Sequence, residues 1–91
     1  MMLSEDELKD LFKDQVRSLQ SAKAAEFVAR TKTGKPPSDT SEQQIQFHFG
    51  QNLLKDMGGR IFGDDFRKEL EEEGKNAWRE TLRYQGVDPE S

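Results

Sequence analysis

Ninety-one residues with 14 basic and 18 acidic side chains, a net charge of −4 and no cysteine bound the protein to one small domain, residues 1–91, without disulfides or thiolate metal sites. Leu, Ile, Val and Phe total 19, close to the roughly 20% below which highly charged chains stay disordered. The core is therefore expected to be thin and open to completion by a second copy or a partner.

Charge is spread evenly, seven basic against eight acidic side chains over residues 1–46 and seven against ten over 47–91. No basic face stands out to grip phosphates, so a nucleic-acid partner is not expected. The longest apolar runs are two or three residues, far short of the roughly 20 that span a bilayer. The acidic start MMLSEDELKDLF has none of the features of a signal peptide, and a cytoplasmic location without membrane contact is the expectation.

The first element opens at Ser4-Glu5-Asp6-Glu7, the S-x-x-E form of a capping box, with Leu3 placed to staple onto Leu8. No Gly or Pro follows until Gly34. Leu8, Leu11, Phe12, Val16, Leu19, Ala22, Phe27 and Ala29 share an arc of about 160° at 100° per residue, which predicts an amphipathic helix over 5–31 with Val28 on its far side. Glu26 and Arg30 have the i,i+4 spacing of a helical ion pair.

TKTGKPPSDT, residues 31–40, breaks the helix, because proline lacks the N–H and clashes with the preceding turn. Ser41-Glu42-Gln43-Gln44 then has the form of a second capping box.

QIQFHFGQNLL, residues 44–54, alternates like a strand at Ile45, Phe47 and Phe49 and then stops alternating. A lone strand has nowhere to put its backbone hydrogen bonds, and the chain holds no second alternating run. A helix over 42–57 is therefore expected. It carries Ile45, Phe49, Leu53 and Met57 on one side and Phe47 and Leu54 on another, with Met57-Gly58-Gly59 as its stop.

After a connector from Arg60 to Gly63, Asp64 or Asp65 is placed to cap a third helix over 64–85. Its stripe is Phe66, Leu70, Ala77, Thr81 and Tyr84, with Trp78 and Leu82 at the edge and Gly74 beside it as a point of kinking or close crossing. Gly86 ends it, leaving 87–91 as a loose tail. The fold expected is all-α, a small three-helix bundle.

Chemistry-bearing groups are sparse. His48 is the only histidine, flanked by phenylalanines, and suits a structural role. Glu71, Glu72 and Glu73 are consecutive and so point in different directions around a helix. No nucleophile motif or phosphate loop occurs, so no catalytic residue, cofactor or metal is assigned and a non-enzyme is expected.

Gly59-Arg60-Ile61-Phe62-Gly63-Asp64-Asp65-Phe66 resembles the second half of an EF-hand calcium loop. The resemblance implies a turn at Gly59, a pairing residue at Ile61, a closing acid at Asp65 and a ligand at Asp56. Leu54 stands where the first aspartate belongs, Gly58 holds the fifth position, and Asp65 replaces the bidentate glutamate.

The leading functional expectation is a protein–protein interaction module that binds a protein partner or itself. Phe47 and Leu54 on the second face of the middle helix, with Trp78, are the expected contact residues. A structural subunit of a larger assembly, such as a phage particle or multi-protein complex, is the alternative, and a calcium module the lesser one.

Overall fold

The computed structural model describes residues 3–32 and 42–87. They form three α-helices, α1 (Glu5–Lys32), α2 (Glu42–Phe62) and α3 (Asp64–Tyr84), folded as a small all-α bundle with α1 and α3 as its most extensive interface. The proline-containing loop, the Ser41 cap and residues 88–91 lie outside the described residues.

Helix α1 starts where the capping box places it. The Glu7 amide donates to Ser4 Oγ at 3.1 Å and the Leu8 amide to the Ser4 carbonyl at 3.0 Å. Near its end, Arg30 Nε donates to Glu26 Oε1 at 2.7 Å, the expected i,i+4 pair.

The buried row differs from the expected arc. Phe12, Val16, Ala24 and Val28 are buried, whereas Leu11, Ala22 and Ala29 are exposed. The buried positions are spaced by four or eight residues, and every four residues rotate the row by about 40° around a helix of 3.6 residues per turn. By Val28 the row has reached the side that a straight wheel assigns to solvent. The cause is a change of neighbours: Phe12 and Val16 meet Phe66 and Leu70 at one end, while Ala24 and Val28 meet Leu82 at the other.

Those two groups are the core. Around the first pack Leu8, Leu54 and Phe62, and Phe12, Phe62 and Phe66 meet edge to face with centroids 5.1 to 6.2 Å apart, an arrangement favoured by the ring quadrupoles. Lys9 Nζ lies 5.2 Å from the Phe62 centroid and 5.6 Å from that of Phe66. Around the second pack Phe27, Trp78 and Val87.

Helix α2 does not stop at Gly58-Gly59; it runs on to Phe62. Gly58 is buried, and a Cβ there would lie 2.7 Å from Leu70 Cδ1 and 3.1 Å from a Phe66 ring carbon. The glycine lets α2 approach α3 closely, and that packing outweighs its helix cost of about 1 kcal/mol relative to alanine. Arg60, Ile61 and Phe62 are consequently helical, and the connector is Gly63 alone.

Gly63 has φ 100° and ψ 171°, a conformation open essentially to glycine only. Its amide donates to the Gly59 carbonyl and its own carbonyl accepts from the Arg67 amide, so one residue closes α2 and opens α3. Neither aspartate is the cap; Gly63 holds that position with no side-chain cap bond, and Asp64 and Asp65 lie in the first turn, where negative charge suits the helix dipole.

Helix α3 is unbroken through Gly74, which serves a close crossing. A Cβ there would sit 3.3 Å from Val16 Cγ1 and 3.2 Å from Gln20 Cγ of α1. Its buried residues are Phe66, Leu70, Gly74, Ala77 and Leu82, so Leu82 is core, whereas Tyr84 is 88% exposed. Gly86, with φ 81°, ends the helix as expected. The Val87 amide donates to the Leu82 carbonyl and that of Gly86 to Arg83, a Schellman closure, and Val87 is docked on the second core group rather than loose.

Candidate functional site

Among the described residues, the largest apolar feature left uncovered is the outer face of α2. Ile45, Phe49, Leu53, Met57 and Ile61, each four residues after the last, are 56%, 69%, 49%, 44% and 55% exposed. At 1.5 Å per residue the row is about 24 Å long. It exists at this length only because Gly58 and Gly59 are accommodated within the helix, which brings Ile61 into line.

Leu11 of α1, 46% exposed, extends the row sideways. A shallow cleft of about 190 Å³ joins them, lined by Leu8, Leu11, Phe12, Gln15, Leu54 and Met57. Two charged side chains interrupt the face, Asp56 and Arg60, both exposed; Asp56 Oδ1 is 3.5 Å from Arg67 Nη2 of α3.

The row that includes Ile45, Phe49, Leu53 and Met57 is thus the exposed one. Leu54 is half-buried against the first core group, and Phe47 is half-buried. Trp78 is half-buried in the second group, its ring 5.6 Å from Phe27, with Lys23 Nζ 5.9 Å above it. Leu54 packs on the first core group and Trp78 on the second, so these two expected contact residues lie in different parts of the bundle and do not form one surface. The sequence showed the four-residue spacing of Ile45, Phe49, Leu53 and Met57, but a spacing does not say which of two apolar faces turns inward.

Polar groups between the helices serve packing. Arg17 of α1 reaches Glu73 and Glu80 of α3, with Nη1 2.9 Å from Glu73 Oε2, and the hydrogen bond to Glu73, followed by that to Glu80, holds the guanidinium pKa above its ordinary value. Gln20 Nε2 donates to Gln51 Oε1 at 2.6 Å, joining α1 to α2. Gln51 is almost fully buried, and its own Nε2 has no hydrogen-bond partner among the described residues. None of these contacts follows a local sequence rule, since each joins residues at least 31 apart.

A second cleft, about 390 Å³, is lined by Gln20, Lys23, Lys75, Trp78 and Arg79. His48 is exposed, with Nε2 2.9 Å from Lys23 Nζ; an ammonium only donates, so the imidazole accepts there. Lys75 lies 3.9 Å from Glu72.

The resemblance to a calcium loop does not survive folding. Residues 54–62, which would supply most of the loop, are the last turns of α2, and a helix cannot wrap its carbonyls and carboxylates around one ion. Among the described residues no group of three or more His, Asp or Glu side chains could hold a metal ion. No described helix is long and apolar enough to cross a membrane. Compared with protein-family models, with curated proteins and with solved structures, the chain matches none of them.

Proposed function

We propose that this chain is a small non-enzymatic interaction protein, a regulator, adaptor or assembly factor of the cytoplasm, that works by presenting the outer face of α2 to another protein surface. The observation that carries the reading is the unbroken exposed row Ile45, Phe49, Leu53, Met57 and Ile61. Scattered apolar residues on a surface are ordinary, but a contiguous apolar strip on a monomer marks a place of contact. Phe49, at 69% exposure, is the natural anchor, since a bare aromatic gains most when it fills a pocket. A chain without cysteine suits the reducing cytoplasm, where disulfides do not persist.

The test is a photo-reactive residue placed at Leu53 in the cells that produce the protein, with the same residue at exposed Lys68 of α3 as control. A discrete protein adduct is expected from Leu53 and none from Lys68, with the adduct abolished by Phe49→Asp. Equal labelling from both positions, or none from Leu53, would overturn the reading. An adduct found only within a large particle would assign the chain to the structural-subunit class, using the same face.

A further inference from the structure

Building on the reading of the outer α2 face as a docking surface, we infer that its occupant is a second copy of the chain, packed as an antiparallel, two-fold symmetric pair of α2 helices centred on Leu53. The row has a middle. Inverting it through Leu53 places Phe49 against Met57 of the second copy and Ile45 against Ile61, so every apolar residue meets an apolar one. Rows of side chains four apart form the ridge that interdigitates with its own kind when two helices cross at about −50°. A two-fold interface requires this kind of self-complementary patch.

Area agrees with a homotypic pair. Six exposed apolar side chains, the row plus Leu11, offer on the order of 600 Å² at about 100 Å² each, the upper end of what a solitary monomer leaves bare. Two such faces bury about 1,200 Å², where specific interfaces begin, and association near the micromolar range is expected.

Charge distinguishes self from other. Although the chain holds 18 acidic residues, the face between Ile45 and Ile61 holds one acid and one base, Asp56 and Arg60, and so that stretch offers no net charge for an acidic or basic partner to read. The antiparallel register sets Asp56 opposite Gly50 and Arg60 opposite Gln46. A parallel pair would set each charge against its own copy, which is unfavourable.

The absence of cysteine makes the register directly measurable. The solution mass of the purified full chain is followed by light scattering over a hundredfold range of concentration, and single cysteines are introduced for disulfide trapping. The wild-type mass should rise from one chain to two, and Leu53→Asp should weaken association by at least about 100-fold, because a carboxylate would be buried at the dyad. Its helical spectrum should be unchanged, since Leu53 is half exposed in the single chain.

Leu53→Cys should trap as a homodimer. A mixture of Phe49→Cys and Met57→Cys should trap as a heterodimer, whereas Phe49→Cys alone should not, because the two copies of residue 49 would lie about 12 Å apart along the helix axis, beyond disulfide reach. A mass of one chain at every concentration, a mass above two, or ready trapping of Phe49→Cys with itself would each overturn the inference. A monomer that still labels a different protein from Leu53 in cells would overturn this inference and leave the proposed function standing; loss of all labelling overturns both.

Discussion

Two apolar rows of identical spacing run through the molecule with opposite fates. On α3, Phe66, Leu70, Gly74, Trp78 and Leu82 step by fours along the seam with α1, and four of the five are buried. On α2, Ile45, Phe49, Leu53, Met57 and Ile61 step by fours along the outside, and all five are exposed. The outer row is, if anything, the more hydrophobic of the two. What separates them is the presence of small residues. Gly58 and Gly74 lie where helices approach, and those sides turned inward because two backbones could come close there. Bulk sets how much a face gains by burial, but closeness of fit decides which face is buried first.

The sharpest test of the contrast compares leucines in the two rows. Leu70→Ala empties a fully buried position between Gly58, Phe66 and Val16 and should cost about 2–5 kcal/mol in chemical or thermal denaturation. Leu53→Ala, measured at submicromolar concentration, should change stability by no more than about 0.5 kcal/mol. Equal losses would mean that the outer row is core after all.

The corner that sets the rotation of α2 against α3 is the next place to press. A Cβ on Gly63 would meet nothing within 4 Å, so Gly63→Ala isolates backbone strain, and a loss of about 1–3 kcal/mol is expected from the φ of 100° alone. Retained stability would show that the turn is free to relax and does not fix which row faces in.

Gly58→Ala reads the opposite quantity, space without strain. The new methyl would lie 2.7 Å from Leu70 Cδ1, and overpacking of this kind outweighs the gain in helix propensity, for a net loss of about 1–2 kcal/mol. A gain in melting temperature would instead assign Gly58 a purely local role. The pairing of this variant with Leu70→Ala should be markedly non-additive, since the truncated leucine vacates the space the methyl needs.

The smallest effect belongs to Arg17. Its guanidinium and the two glutamates it holds are a third or more exposed, so Arg17→Met should cost less than about 1 kcal/mol and the difference should shrink in high salt. A loss as large as that of Leu70→Ala would make electrostatics, rather than apolar fit, the force that docks α1 on α3.

Much of this fold was legible before folding. The start of α1 at Ser4, the pair Glu26–Arg30, the helical nature of residues 44–54 and the end of α3 at Gly86 all follow from rules acting within one turn of helix. The misreadings share a cause, which is that each concerned a residue whose role depends on a neighbour distant in sequence. Gly58 looks like a stop signal until Leu70 and Phe66 are placed beside it. Val28 looks solvated until Leu82 arrives, and Tyr84 looks buried until α1 has drifted away from it.

The sequence by itself determined that the protein is helical, that its described residues form three helices, and that its middle helix carries apolar residues on two sides. Those properties are set by period, capping and composition, which are local or additive. Only the tertiary structure decided that Leu54 turns onto the core and that Ile45, Phe49, Leu53, Met57 and Ile61 remain outside. The choice turns on the clearance between Gly58 and Leu70 and on a single glycine corner at residue 63, distances that exist only once three helices compete for one core.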